Sequence, residues 1–205
     1  MSNLVGAISS LPRGRHGLSR DEVQRSQRLR LAIAMADACA ELGFVDTPVK
    51  AVLERANVSR LTFYELYESK LDCFLEALDI VGDVLLGQLH SAVDGPGEPL
   101  DRFIRATDQY LEAIVHNLPF ARLYIVEVHA AGTVALRRRA ELQAQVVDVV
   151  ADLLAADDAE RRFACEAYVA AVSALVTMPV ATGDIKAIRA LRDPLVALMR
   201  RLLEM

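Results

Sequence analysis

The chain has 205 residues, and its 28 Asp and Glu against 23 Lys and Arg give a formal net charge of −5 at pH 7. This length leaves room for one small and one larger domain. The three cysteines, Cys39, Cys73 and Cys165, are odd in number and irregularly spaced. They exclude a disulfide framework and a cysteine metal site, and they indicate a reducing, cytoplasmic compartment. We expect no signal peptide and no apolar run of membrane-spanning length.

The charge is unevenly distributed along the chain. The first thirty residues contain six arginines against two acidic residues, whereas most acids lie beyond Lys70. A basic front end on an acidic body is typical of a nucleic-acid-binding module joined to a second domain. The alternative is a tail that is basic by chance. Residues 1–17 are predicted to form a flexible basic arm.

The first predicted helix runs from about residue 20 or 25 to Leu42, where Gly43 ends it as a C-cap. A second helix follows, with Thr47 as its N-cap and Pro48 at its first position. Apolar residues then recur on one face of this helix as far as Ala56.

A tight turn and a short helix come next. Asn57 tolerates the left-handed conformation that such a turn needs, and Ser59 caps the following helix. Ser69 opens another helix, with Asp72 completing an S-x-x-D capping box. Two capped helix starts ten residues apart leave about two turns between them. This spacing predicts a helix-turn-helix whose second helix enters a DNA major groove.

The rest of the chain predicts an all-α fold without a strand pattern. Residues 94–99 form the clearest loop. Predicted helices cover residues 69–90, 100–117, 119–131 and 133–155, with Arg137, Arg138 and Arg139 on a solvated face. A further helix begins at Asp157 or Asp158 and ends near residue 177, before Pro179. The last runs from Asp184 to Leu203, with Pro194 kinking or restarting it.

The last two helices are more apolar than a one-sided surface helix requires. Small residues at Ala167, Ala170, Ala171 and Ala174 allow close helix approach. Two such helices from each of two chains would form a four-helix homodimer interface. The alternative is that they close the core of a monomer.

The segment from about Arg28 to Phe74 resembles the DNA-binding domain of the TetR family of bacterial transcriptional regulators. The matching positions, in order, are Leu42-Gly43-Phe44, Thr47, Val58-Ser59, Thr62-Phe63-Tyr64, Tyr67, Ser69-Lys70 and Phe74. The family more often has Gly at Asn57, a small residue at Leu61 and a basic residue near Glu65. These departures bear on the preferred DNA sequence.

The resemblance implies a three-helix helix-turn-helix domain over residues 18–74 and a helical effector-binding and dimerisation domain over residues 75–205. It implies a homodimer formed through the last two helices. Such a dimer would read a near-palindromic operator in double-stranded DNA. It would act as a repressor and would release the operator on binding a small, largely apolar effector.

Candidate DNA contacts lie at the start of the recognition helix and around it. Arg60 suits guanine, while Leu61 and Thr62 suit a thymine methyl group. Phosphate and minor-groove contacts are expected from polar side chains nearby and from the arm. The complete set is Thr47, Lys50, Ser59, Arg60, Leu61, Thr62, Tyr64, Tyr67, Lys70, Arg13 and Arg15. The plainer interpretation of Tyr64 and Tyr67 is that they pack.

Candidate effector contacts lie on the middle helices of the second domain. They are Phe103, Thr107, Tyr110, His116, Phe120, Tyr124, Glu127, Tyr168 and Met178. An aromatic stripe at helical spacing is more often core than ligand site. Glu127, among apolar neighbours, either pairs with Arg122 or binds a cationic ligand.

The sequence gives little support to an enzyme. It contains no helical His pair for a metal, no phosphate-binding Gly-rich loop and no nucleophile–base set. We expect no cofactor and no metal. The alternative function is a helical ligand-binding or adaptor protein without sequence-specific DNA binding.

Overall fold

The computed structural model describes residues 19–203, and every regular element in that range is a helix. The predicted arm, with Arg13 and Arg15, lies outside the described residues. The all-α prediction is confirmed. The helices, in chain order, are α1 (Arg20–Leu42), α2 (Val49–Ala56), α3 (Arg60–Leu66), α4 (Lys70–Val93), α5 (Pro99–His116), α6 (Leu118–Arg122), a π-helical segment (Leu123–Glu127), α7 (Val128–Ala130), α8 (Thr133–Leu153), α9 (Ala159–Thr182), α10 (Ile185–Ala190) and α11 (Arg192–Leu203).

Local capping signals position the first four helices. Gly43 ends α1 with φ at +78°, a conformation that glycine adopts without steric penalty. Asn57 ends α2 in the left-handed region, and the Ser59 hydroxyl accepts the Thr62 N–H at the start of α3. Ser69 and Asp72 form the expected capping box at the start of α4. These local predictions were correct.

One apolar core joins α1–α4 to the beginning of the second domain. Phe63 and Phe74 are completely buried in it, together with Leu123 from the π segment and Val128 from α7. The predicted boundary between residues 74 and 75 therefore falls inside the continuous helix α4. Two further clusters fill the second domain, one around Tyr168 and one around Val176.

The structure contradicts the prediction made for Pro179 and decides between the two alternatives for Pro194. Helix α9 continues through Pro179 to Thr182 instead of ending near residue 177. Val176 and Val180, both buried, hold the helix on either side of the proline. In contrast, the last helical stretch is interrupted at Leu191, and Pro194 lies in the first turn of α11. Proline is tolerated there because its missing N–H has no intrahelical partner. Pro194 thus restarts the helix.

Helix α9 is long and apolar enough to cross a membrane by length and composition alone. This corrects the expectation that no apolar run reaches that length. Only 22% of its most apolar window is buried within the chain. Its exposed face carries Phe163 and Met178 at the two ends and Ala167, Ala170 and Ala174 between them. We call this face the α9 stripe.

Candidate nucleic-acid interface and helical cavity

The recognition helix α3 presents its beginning to solvent. Leu61 is 73% exposed and Tyr64 is 47% exposed, whereas Phe63 on the opposite face is completely buried. The Arg60 guanidinium lies over the Tyr64 ring, 5.6 Å from its centre. The Ser59 hydroxyl caps the helix and lies 2.9 Å from the Thr62 hydroxyl. The structure therefore brings together Ser59, Arg60, Leu61, Thr62 and Tyr64 as predicted neighbours.

Three other predicted DNA contacts make hydrogen bonds or pack within the protein. Thr47 is 1% exposed, and its hydroxyl donates to the Gly43 carbonyl at 2.6 Å. The N-cap of α2 is Pro48 instead of Thr47, and no side chain caps this helix. Tyr67 is buried beneath the Arg28 guanidinium, and burial raises the pKa of its phenol. Both residues are buried, so neither hydroxyl faces solvent in this conformation.

Lys70 is the third. Its ammonium group donates to the carbonyl oxygens of Phe44 at 2.6 Å, Thr47 at 2.9 Å and Val45 at 3.3 Å. It also lies 4.3 Å from the centre of the Phe44 ring. All three donors of the ammonium group are thereby used within the protein. In this structure Lys70 ties α4 to the α1–α2 loop, a role that the prediction of a phosphate contact did not include. Lys50 remains exposed, with only a 3.7 Å pair to Glu54.

Some arginines of the basic N-terminal region bind other residues of the protein instead of facing solvent. Arg28 pairs with Glu76 of α4, and Arg30 donates to the Ala56 carbonyl at 3.2 Å, next to the helix-turn-helix turn. These two arginines hold the helices of the small domain together. The sequence signal of positive charge did not distinguish such tethers from solvent-facing cations.

The second domain contains a partly open cavity of about 130 Å³ among α4, α5, the π segment, α8, α9 and α11. Five of the predicted effector contacts line it, namely Phe103, Thr107, Tyr110, Tyr124 and Tyr168. The Phe103 and Tyr168 rings meet edge to face with centres 5.4 Å apart. Tyr110, Tyr124 and Tyr168 are neutral near pH 7, and burial raises their pKa still further above that pH.

Four predicted effector contacts lie elsewhere. His116 is exposed and bonds to the Glu112 carbonyl at 2.7 Å. Phe120 is buried in the core shared with α1 and α4. Met178 is 67% exposed on the α9 stripe. Glu127 is buried and pairs with Arg122 at 3.2 Å, so the first of its two predicted roles is the one observed.

Sequence reasoning missed Arg139, which lines the cavity instead of lying on the solvated face with Arg137 and Arg138. Gln143, Val146 and Val150 of α8 line it too. These four residues follow the 3.6-residue period of one helical face. That periodicity was the available signal, and the run of three arginines obscured it.

The cavity and the helix-turn-helix domain are connected by two routes. Helix α4 begins beside the recognition helix and contributes Leu85 and Leu89 to the cavity wall. The π segment contributes Tyr124 and Ile125, and its last residue, Glu127, accepts the backbone N–H of Phe44 at 2.8 Å. π-Helical turns are uncommon and frequently occur at functional sites.

Residues 19–203 contain no group of three His, Cys, Asp or Glu side chains that could hold a metal ion. The three cysteines are free and buried.

These features define a class of protein: an all-helical chain with a helix-turn-helix domain joined to a larger helical domain that contains a partly open cavity. Comparison with solved structures identifies its fold. FadR, a fatty acid degradation regulator from Bacillus halodurans, superposes with a TM-score of 0.74 at 16% identity over 85% of this chain and 96% of its own. A TetR-like regulator from Rhodococcus sp. RHA1 gives 0.68 at 20% identity, covering 92% and 99% of the two chains. FadR from Bacillus subtilis in complex with stearoyl-CoA gives 0.70 at 12% identity, covering 83% and 96%.

The chain has the fold of the TetR family of transcriptional regulators, which confirms the resemblance inferred from its sequence. Among curated proteins, it is 26% identical over 145 residues to the HTH-type transcriptional activator FasR of Mycolicibacterium smegmatis. The match covers 68% of this chain and 62% of that relative's length. No family model matches the sequence.

Proposed function

We propose that the chain is a cytoplasmic, sequence-specific DNA-binding transcriptional regulator without catalytic activity, which a small and largely apolar effector controls. One observation carries this proposal. The short helix α3 is capped by Ser59, buries Phe63 and leaves Arg60, Leu61 and Tyr64 facing solvent. An exposed apolar and basic surface at the start of such a helix suits base edges in a major groove better than it suits water.

Each exposed residue has a proposed role. Arg60 donates two parallel hydrogen bonds to guanine, and Leu61 and Thr62 contact thymine methyl groups. Tyr64 and Lys50 bind phosphates, which fixes the docking position without reading sequence. Arg13 and Arg15 of the arm enter the adjacent minor groove.

The α9 stripe supports a homodimer. It is exposed, apolar and lined at its centre by alanines, so a second helix can approach closely. Leu198 of α11, 39% exposed, extends the apolar surface. A two-fold dimer through α9, α10 and α11 would set two recognition helices against successive major grooves of a near-palindromic operator.

The dimer is tested by placing a charge in the stripe. Ala170→Glu introduces a carboxylate at its centre, and we expect it to yield monomers in sedimentation equilibrium. Ala140→Glu, at an exposed alanine of α8, is the matched control and should leave the oligomeric state unchanged. A dimer that survives Ala170→Glu would place the interface elsewhere.

Effector binding reaches the DNA through α4 and the π segment. A ligand in the cavity contacts both elements, and a small displacement changes the separation of the two recognition helices. The ligand needs to favour the non-binding state by only a few kcal/mol to release the operator. The relatives include a named activator as well as regulators of fatty acid degradation. Repression is our proposal for this chain, and it is tested by transcription from the operator with and without the protein.

The deciding experiment is selection of bound sequences from a random duplex DNA pool by the purified protein. We expect recovery of a near-palindromic site, with binding that weakens steeply as salt rises. Arg60→Ala should cost about 1–3 kcal/mol and relax specificity at one position. No enrichment at low salt, from protein shown to be folded, would favour the helical binding protein without sequence-specific DNA recognition.

A further inference from the structure

We propose that the cavity binds an amphipathic anion, a small molecule with an apolar chain that ends in a carboxylate, and that Arg139 is the residue that pairs with the carboxylate. That such a ligand also acts as the effector rests on the proposed function. It depends on the geometry around Arg139, which lies in a wall that is otherwise largely apolar.

Arg139 is held in place within the cavity wall by neutral groups. Its Nη2 donates to the Ser173 hydroxyl of α9, and its guanidinium carbon lies 5.5 Å from the centre of the Tyr124 ring. These contacts orient the planar guanidinium but do not neutralise it. The side chain is therefore positioned for a partner that neither Ser173 nor Tyr124 can replace.

The positive charge of Arg139 has no counter-charge among the residues that the structure describes. Its Nε is shielded from solvent and has no acceptor there, and the side chain takes part in no ion pair within 4 Å. The preceding residue shows the contrast, because Arg138 pairs with Asp79 at 2.6 Å and with Glu141 at 3.1 Å. Arg139 is partly buried, and a partly buried cation without an anion is less favourable than a paired one. An arginine fork matches a carboxylate with two parallel hydrogen bonds.

The neighbouring titratable groups do not supply the missing negative charge. Burial raises the pKa of Tyr110 and Tyr124, so both phenols stay protonated at neutral pH. Gln88, on the α4 side of the cavity, has an amide oxygen that is also shielded and without a partner in the described chain. Turning this amide over would present its NH2 group, a second donor for a carboxylate oxygen.

The rest of the cavity suits an apolar chain. Phe103, Val150, Val169 and Leu195 line it, and all four are buried in one apolar cluster. A ligand with its carboxylate at Arg139 can lay its chain along these side chains and so remove apolar surface from water. A neutral apolar molecule would fill the same space but leave the guanidinium without a counter-charge.

The test compares octanoate with octanamide, which has the same shape without the charge, in calorimetric titrations of the full protein without DNA. We expect octanoate to bind at least about ten times more tightly, because hydrogen bonds to charged groups are stronger than neutral ones. Arg139→Gln should abolish this preference and Arg139→Lys should keep part of it. Arg137→Gln, an exposed neighbour on the same helix, is the matched control and should leave it unchanged.

Three outcomes would overturn the inference: equal binding of the two probes, no binding of either to the wild-type protein, or a preference that persists in folded Arg139→Gln. A further arm uses octanoyl-coenzyme A, whose thioester has no carboxylate at the chain end. If it binds irrespective of Arg139 while octanoate does not bind, the anion lies outside the cavity and the inference fails. Operator selection needs no ligand, so its failure contradicts the proposed function alone, and loss of the octanoate preference contradicts only this inference.

Discussion

The carboxylate of Glu127 accepts the backbone N–H of Phe44 at 2.8 Å, although the two residues are 83 positions apart in the chain. Phe44 follows α1 in the helix-turn-helix domain, and Glu127 ends the π segment whose Tyr124 and Ile125 line the cavity. The second carboxylate oxygen pairs with Arg122, which in turn donates to the Ala181 carbonyl of α9 at 3.0 Å. One buried carboxylate thus connects the helix-turn-helix domain, the cavity wall and the helix that carries the α9 stripe.

We predict that Glu127→Gln lowers the free energy of unfolding by about 1–3 kcal/mol, because it removes the ion pair with Arg122 and weakens the bond to Phe44. Chemical denaturation measures this change. Glu141→Gln, which removes an exposed carboxylate paired with Arg138, should change stability by no more than about 1 kcal/mol. Equal effects of the two substitutions would show that the buried carboxylate has no special structural role.

Lys70→Met should destabilise the fold by about 1–3 kcal/mol, because it removes the ammonium donor from the carbonyls of Phe44 and Thr47 and leaves Phe44 with only the Thr47 N–H at 3.4 Å. Thermal unfolding without DNA measures this effect. Lys50→Met is the control: that lysine is exposed, so the substitution should leave the melting temperature nearly unchanged and weaken DNA binding uniformly across sequences. A Lys70→Met protein of wild-type stability would restore the interpretation of Lys70 as a phosphate contact.

Gly82→Ala should destabilise the protein by about 1–3 kcal/mol through overpacking. A methyl group at Gly82 of α4 would lie 2.6 Å from a Leu142 methyl carbon of α8, and Leu142 is itself buried. Gly87→Ala, in the same helix, meets no atom within 4 Å and should stabilise by about 0.5–1 kcal/mol. Urea unfolding of the two variants should therefore move in opposite directions. A shift of the same sign would contradict the close contact of α4 with α8.

Stability should fall as the solution becomes alkaline. Burial raises the pKa of Cys39 from 9.0 to about 11 and that of Cys73 from 9.0 to about 12. The unfolded chain then loses these protons first, so stability is fully present below about pH 9 and is lost as the pH rises towards the folded-state values. Each thiol contributes up to about 1.4 kcal/mol per pH unit in that window.

Unfolding followed between about pH 8 and pH 10 measures this loss, with alanine variants of both cysteines as the comparison. The double variant should be less stable at pH 8 but should lose less stability on going to pH 10. An identical pH dependence in the two proteins would assign the alkaline loss to other groups.

The features that could be predicted from the sequence are those determined by interactions between residues close together in the chain. Gly43, Asn57, Ser59 and Ser69 act on backbone groups within four residues of themselves, so their roles could be inferred without knowing the fold. The helix-turn-helix and the all-α class followed from them. Pro179 was interpreted by the same local reasoning, but burial of the residues around it outweighed the lost hydrogen bond.

The side chains that were misplaced have partners far along the chain. Lys70 bonds to residues more than twenty positions earlier, and Arg139 bonds to Ser173 on the next long helix. Whether a cation faces solvent, a carbonyl or a cavity depends on how helices pack, and residue type alone does not determine this. The candidate DNA surface was therefore predicted best where it coincides with a capped helix start, and the cavity only in its aromatic half.

The close contact of Gly82 with Leu142 lies between the start of α4 and Leu89, the residue of this helix that lines the cavity. At about 1.5 Å per residue, the arm from Gly82 to Lys70 is about 18 Å long and the arm from Gly82 to Leu89 about 10 Å. If α4 pivots as a rigid body at this contact, the longer of these two arms is the one that ends beside α3. A ligand that pushes Leu89 by 1 Å would then move the start of α4 by nearly twice that distance. The position of Gly82 in α4 would then determine how far a ligand in the cavity displaces the start of this helix.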